Sequence, residues 1–463
     1  VGPEAPIVMT GAAIGSNIAR TLRMNYRQTT LLLGCGVAAA LSAIFKAPIT
    51  GVVFVLEILM LDITTSAIIS LLISSVTATT LILILTGFEP LFTVKLRETF
   101  AIGNLPYYAL LGMACGLLSY YFKRINRWIA GIFAKIDKQY KRWILGGTIL
   151  GVLIFVFPPL YGEGYEAFDD LMHGNIESLF NNSMFFAYRD AAWVVVIYLV
   201  AILFFKVIAM AATNASGGVG GTFAPSLFVG AFAGGAMAYV CNHFFALDLP
   251  IAHFTLVGMA GVMAGVMNAP LTSIFLIAEL SNGYTLFIPL MLVASLAFAI
   301  GYYFDPYSIY TRKLQKQGEL LTHNKDKSVM VFLDLPSLME TDFHPIAVDA
   351  TLGDMVRLIS RARRNIFPVV DNEGVLLGIV QLDDLRSDMF SSEKYGETMD
   401  KYMIPPPDII YRNERMESIL NSFEQSKAWM LPVIDRRNKY LGFISKSRIL
   451  DAYRQQLVEI SEE

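Results

Sequence analysis

Long apolar stretches with helical spacing, separated by short polar breaks, fill the first two thirds of the chain. They lie near residues 5–20, 30–44, 48–60, 64–86, 104–134, 144–158, 190–211, 222–244, 252–267, 270–281 and 284–304. A helix needs about 20 residues to cross about 30 Å of hydrocarbon. The runs Pro48 to Met60 and Pro270 to Leu280 fall short of that length, and each begins at a proline. They are expected to cross only part of a bilayer and to leave polar helix ends at membrane depth, which is tolerated only where those ends are buried in protein or line a water-filled path. Towards the C-terminus the pattern changes. β-branched residues alternate around an Asp371-Asn372-Glu373-Gly374 turn, with an amphipathic helical segment after it, the pattern of a β-β-α unit.

Composition sharpens this division. At 55% hydrophobic and 16% charged residues, the 463-residue chain is too apolar for an ordinary soluble protein. Charge is sparse up to residue 310 and dense from 311 to 463, so a membrane domain is followed by a soluble one. A formal net charge of −3 offers no basis for a nucleic-acid partner. The chain opens at Val1 inside a motif, and part of the natural protein is expected to precede it. Cys35, Cys115 and Cys241 sit in apolar helical context without paired spacing and read as small core residues, so no disulfide, metal or cofactor is expected. The histidines are scattered and no nucleophile–base arrangement stands out, which argues against an enzyme.

Candidate chemistry concentrates between Gly217 and Val240. Gly217, Gly218, Gly220 and Gly221 leave backbone N–H groups uncovered by side chains, and Phe223-Ala224-Pro225 then enters a helix with proline in its first turn. Open amides at a helix N-terminus attract anions. The spacing is not that of a nucleotide-binding loop, and no Lys-Ser/Thr follows. The motif also has a double at the chain start: Gly2, Pro6, Gly11 and Gly15 match Gly221, Pro225, Gly230 and Gly234 at one constant separation. A second echo pairs the stretch ending at Glu57 with the stretch ending at Glu279, each with its proline, Pro48 or Pro270, at the same distance upstream. Two paired motifs in the same order mark a duplicated unit, an architecture of secondary transporters whose sites lie at the repeat interface.

On these residues the sequence resembles the CLC family of chloride channels and proton-coupled chloride transporters. Gly2-Pro3-Glu4-Ala5-Pro6 looks like the family's G-K/R-E-G-P motif, Gly221-Thr222-Phe223-Ala224-Pro225 is similar to its G-x-F-x-P motif, and Phe45 to Glu57 resembles the helix that carries its internal glutamate. The resemblance implies an all-α polytopic membrane domain built as an inverted repeat with half-crossing helices. It implies that Glu4 is the gating glutamate, competing with anions and, in transporters, carrying the proton. It further implies that chloride is held by the Thr222 and Phe223 amides and by a tyrosine hydroxyl, with Ala5 and Ala224 among the anion-binding positions. Alignment favours Tyr310 for that hydroxyl, with Tyr307 second. The family's serine motif is absent from this chain, so anion preference stays open. Two departures stand out. Pro3 replaces the usual basic residue and lacks an N–H, and Ile58 stands where proton-coupled members carry their internal glutamate. Coupling is therefore expected to be weak or absent, with a proton-coupled exchanger as the alternative. Glu57 and Glu279 occupy matching places in the two repeats and are expected to brace helix ends.

After Tyr310, the run Arg312, Lys313, Lys316 reads as a cytoplasmic membrane edge, and Gln317 to Ser328 as a linker. A second repeat follows, in which Phe367-Pro368-Val369-Val370-Asp371 and Gly378 match Leu431-Pro432-Val433-Ile434-Asp435 and Gly442. This resembles a tandem cystathionine-β-synthase (CBS) pair, a small α/β domain that many CLC proteins carry on the cytoplasmic side. The expected organisation is residues 1–318 membrane domain, 319–328 linker, 329–391 first CBS motif and 392–463 second. In the CBS family an Asp six residues after the glycine binds an adenosine ribose, and Asp384 fits, whereas Arg448 holds the matching place in the second copy. A carboxylate accepts from both ribose hydroxyls and a guanidinium from neither, so at most one adenine-nucleotide half-site is expected. The resemblance also implies a homodimer in a lipid bilayer, here expected to be a prokaryotic plasma membrane. A CBS-bearing cation transporter is the more distant alternative; it would need carboxylates and carbonyls along its path, where this chain offers helix N-termini.

Overall fold

The structure, a computed structural model, describes residues 1–59, 64–87, 100–281, 283–310, 312, 333–414 and 416–462. Met60, Lys313, Lys316 and the expected linker lie outside the described residues. The chain forms two compact units, Val1–Gly318 and Glu319–Glu463.

The first unit is helical. In chain order its helices are α1 Glu4–Thr21, α2 Tyr26–Phe45, α3 Pro48–Ile58, α4 Thr65–Thr86, α5 Leu105–Ala134, α6 Gln139–Val156, α7 Tyr165–Met172, α8 Ala192–Ala215, α9 Phe223–Phe245, α10 Ile251–Met267, α11 Pro270–Leu280 and α12 Phe287–Phe304. Among the described residues, α2, α4, the stretch Ile102–Ala134, α8, α9 and α12 are long and apolar enough to cross a membrane. Each expected apolar run is a helix. The addition is α7, an 8-residue amphipathic helix whose Glu166, Asp169 and Asp170 hide it from any search for apolar runs.

Both short helices are made the same way. α2 ends on Lys46 at φ 52° and α10 on Asn268 at φ 56°, left-handed residues that stop a helix. One alanine with non-helical backbone then leads into Pro48 or Pro270, whose missing N–H and fixed φ suit the first helical position. Each short helix is 11 residues long. The helix pair ahead of each also crosses in the same way. A Cβ on Gly11 would lie 2.3 Å from the Gly36 carbonyl oxygen, and one on Gly230 would lie 2.2 Å from that of Gly258, so only glycine permits either crossing.

The repeats face each other with reversed direction. Gly2 and Gly221 form an antiparallel bridge in which the Gly221 N–H donates to the Gly2 carbonyl at 2.9 Å. The expected bracing by Glu57 and Glu279 takes a reciprocal form. Glu279, at the end of α11, accepts from the Ile49 and Thr50 amides at 2.9 and 2.8 Å and from the Thr50 hydroxyl at 2.5 Å. Glu57, at the end of α3, accepts from the Leu271 and Thr272 amides at 3.0 and 2.8 Å and from the Thr272 hydroxyl at 2.7 Å. Each carboxylate thus caps the positive end of the other half-crossing helix. A hydrogen bond to a charged group is worth about 1.5–3 kcal/mol. Glu57→Ala and Glu279→Ala are each expected to lower the thermal unfolding midpoint in detergent by several degrees, and the pair by more than either; midpoints unchanged from wild type would show that the caps are dispensable.

The second unit holds two copies of one motif. β1 (Ile346–Ala347), the helix Leu352–Ile359, β2 (Ile366–Val370), β3 (Leu376–Gln381) and the short helix Leu382–Leu385 form the first. β4 (Ile410–Tyr411), the helix Met416–Ser426, β5 (Met430–Ile434), β6 (Tyr440–Ser445) and the helix Lys446–Glu462 form the second. The sheets run β1-β2-β3 and β4-β5-β6, a parallel pair followed by an antiparallel one in each. The expected unit was β-β-α; the structure adds a strand and a helix ahead of each hairpin. The leading strands have two residues each, too short for period-two alternation to register. Phe343, Ile379 and Phe443 join the two copies in one apolar contact.

Candidate functional site

The bridge between Gly2 and Gly221 sets the starts of α1 and α9 side by side, since the helices begin at Glu4 and Phe223. Thr222 is the residue ahead of α9 and makes no side-chain cap. The first N–H groups of a helix have no intrahelical acceptor. Pro225 has none to offer and the Ser226 amide donates back to the Thr222 carbonyl at 3.1 Å, which leaves the Phe223 and Ala224 amides at the mouth of the helix. Thr222, Phe223 and Ala224 are all buried, and the Phe223 ring stacks on Phe45 at the end of α2 with centroids 5.1 Å apart. Two helix N-termini therefore meet in an enclosed, mainly apolar place, where their partial positive charge is little screened.

The tyrosine is brought to the same spot. Tyr310 places its hydroxyl 3.3 Å from the Thr222 hydroxyl, although the residue as a whole is 38% exposed. Tyr307 instead lies under the Arg312 guanidinium, 5.9 Å from its ring centre. The segment carrying both is pinned at buried Asp305, whose carboxylate pairs with Arg127 at 2.9 Å and Arg312 at 2.7 Å. Lys123 Nζ donates to the Asp305 carbonyl at 3.2 Å and to Asn268 Oδ1 at 2.7 Å, while Asn268 Nδ2 donates to the Pro306 carbonyl at 2.8 Å.

Glu4 is the first helical residue of α1 and only 2% exposed. Its Oε1 accepts from the Tyr165 hydroxyl at 2.8 Å, and its Oε2 is buried with no hydrogen-bond partner among the described residues. Half-buried Ala5 follows, close against Gly221. Ile58 ends α3, half-buried against the core, and the neighbouring Glu57 is committed to Leu271 and Thr272. Asp384 belongs to the second unit and is exposed on the helix Leu382–Leu385; Arg448 is likewise exposed.

Two residues at the site escaped the sequence reading. Tyr165 starts α7. Lys206 is buried in α8, donates to the Gly162 and Leu160 carbonyls at 3.0 and 3.3 Å, and lies 4.2 Å from the centre of the Phe228 ring. Lys206 was findable as the single charge within the apolar stretch that forms α8. Nothing local marks Tyr165.

Residues 1–302 match the family model for voltage gated chloride channels, and residues 334–390 and 399–455 each match the CBS domain model. The chain belongs to the CLC family. It is 31% identical to a ClcB-like protein of Ralstonia nicotianae over 329 residues, 69% of this chain and 72% of that one. It is 25% identical to chloride channel protein CLC-f of Arabidopsis thaliana over 441 residues, 83% of this chain and 54% of that one, so it spans about half of the plant relative's length. A solved slow cyanobacterial Cl−/H+ antiporter is similar with a TM-score of 0.57 and 25% identity, over 68% of this chain and 72% of that one. Helix content, paired half-crossing helices and the small mixed sheets of the CBS region agree with a CLC-type integral membrane protein carrying a tandem CBS domain.

Proposed function

We propose that this protein carries chloride across a membrane along a path past the paired N-termini of α1 and α9, with Glu4 as its gate and little coupling to protons. One observation carries the reading: the open first-turn amides of α9, the Tyr310 hydroxyl beside Thr222 and the enclosed Glu4 carboxylate gather around a single pair of helix N-termini. Amides and a hydroxyl donate to an anion, and a carboxylate drawn to the same positive ends competes with it. The cation-transporter alternative loses ground on the same chemistry, because helix N-termini repel cations. Chloride efflux from proteoliposomes holding the purified chain tests the reading, and efflux no faster than from protein-free vesicles would overturn it.

Within this reading, Thr222, Phe223 and Ala224 hold the anion with Tyr310, and Ala5 lies on the opposing motif. Tyr310→Phe removes one hydroxyl donor and is expected to weaken chloride binding by roughly tenfold or more, as a charged hydrogen bond is worth about 1.5–3 kcal/mol. Isothermal titration calorimetry reads the change. Weakening by Tyr307→Phe and none by Tyr310→Phe would transfer the role to Tyr307.

The CBS pair is assigned a regulatory part on the cytoplasmic side of a prokaryotic plasma membrane, in a homodimer. Asp384 supplies an acceptor for an adenine nucleotide's ribose in the first copy, and Arg448 denies it in the second.

A further inference from the structure

We propose that Tyr165 is the tether that holds Glu4 in its enclosed position and so sets how readily the gate opens. This inference rests on the reading of Glu4 as the gate.

Tyr165 comes from outside both matching motifs. It opens α7, and the chain reaches it through Gly162 and Gly164, both left-handed at φ +59° and +89°. That approach is fixed rigidly. Lys206 donates to the Gly162 and Leu160 carbonyls, and a Cβ at Gly164 would meet the Phe228 ring at 2.3 Å, so the loop is laid flat on α8 and α9. α7 itself is anchored by Phe168 and Leu171, both fully buried; a Cβ on Gly235 of α9 would come within 2.5 Å of Leu171. The Tyr165 ring packs edge-on against Phe168, with centroids 5.3 Å apart. The phenol therefore stands on a base with little freedom, and its hydroxyl donates to Glu4 Oε1 at 2.8 Å.

Apart from its own backbone amide, the Glu4 carboxylate has Tyr165 as its hydrogen-bond partner among the described residues, and its other oxygen is buried without one. An anion passing the paired helix starts must displace this carboxylate, and displacement breaks the bond to Tyr165. A charged hydrogen bond of ordinary strength shifts the balance between held and released Glu4 by roughly tenfold or more. Tyr165 acts through Glu4 and is a positioning residue.

The test is a mutant cycle on chloride efflux from proteoliposomes. Tyr165→Phe keeps the ring on Phe168 and removes only the hydroxyl; it is expected to raise efflux by about tenfold in the wild-type background. Combined with Glu4→Ala it is expected to change nothing, since no carboxylate is left to hold. Tyr165→Leu, which removes the phenol altogether, repeats both arms should the phenylalanine variant be poorly folded. Efflux unchanged or slowed by loss of the hydroxyl, or raised equally in the Glu4→Ala background, overturns the tether. Efflux unaltered by Glu4→Ala alone would overturn the gate, and the tether with it, so the two failures are told apart.

Discussion

Glu4→Gln is expected to change chloride flux on the order of tenfold or more and to abolish its dependence on pH. The expectation follows from where the carboxylate lies. At 2% exposure, with hydrogen bonds from Tyr165 and from its own backbone amide and with one unpartnered oxygen, an ionised Glu4 has given up most of its hydration. Removing a charge from water costs several kcal/mol unless other groups compensate. Here compensation comes from the N-terminus of its own helix and from that of α9 beside it. Those are the charges that attract an anion, so on the proposed reading carboxylate and chloride compete for one positive site, and protonation decides the contest. Glutamine keeps the shape and the hydrogen-bonding reach to Tyr165 while removing both charge and proton. Flux through vesicles holding the variant should be flat across acidic to neutral pH where wild type varies. The same flux and the same pH profile in both proteins would sink the assignment of Glu4.

How much of this was legible in the sequence depends on chain separation. Glycine and proline punctuate the two repeats so regularly that the half-crossing helices could be placed from Pro48 and Pro270 alone, because their backbone requirements are local. The paired glutamates were legible as braces. Their partners were not: nothing in the stretch ending at Glu57 says that its carboxylate reaches Leu271 and Thr272 rather than its own helix. The choice between Tyr307 and Tyr310 stood open for the same reason, as three residues of irregular chain turn the two side chains to different neighbours, Arg312 for one and Thr222 for the other. Tyr165 was out of reach altogether. Its meaning lies in a contact 161 residues distant, set up by a glycine loop and a buried lysine that no periodic pattern records. In the second unit the hairpins were found and the leading strands missed, because two residues of strand draw their stability from the parallel partner beside them.

Chloride movement is expected to proceed with weak or absent proton antiport, and Ile58→Glu to increase whatever coupling there is. A proton crossing from Glu4 to the far side needs titratable groups or ordered water along the way. At the end of α3 the chain offers Ile58, half-buried among apolar neighbours, where proton-coupled relatives are expected to carry an acid. The adjacent carboxylate cannot substitute. Glu57 accepts three hydrogen bonds from the start of α11, and protonating or swinging it away would uncap that helix. Structural duty and proton relay thus exclude each other at Glu57, and an aliphatic side chain next door leaves the relay without a terminus. Likeness to a solved Cl−/H+ antiporter pulls the other way, since the overall scaffold is shared. On the proposed reading, however, the scaffold serves the anion path, whereas a proton path depends on single titratable residues. Reversal potentials recorded under opposed chloride and proton gradients separate the two outcomes. A potential set by chloride alone is expected for the wild type, with a proton-dependent shift appearing in Ile58→Glu. A wild-type potential that moves with the proton gradient at fixed stoichiometry would establish an exchanger and require a proton route that bypasses Ile58.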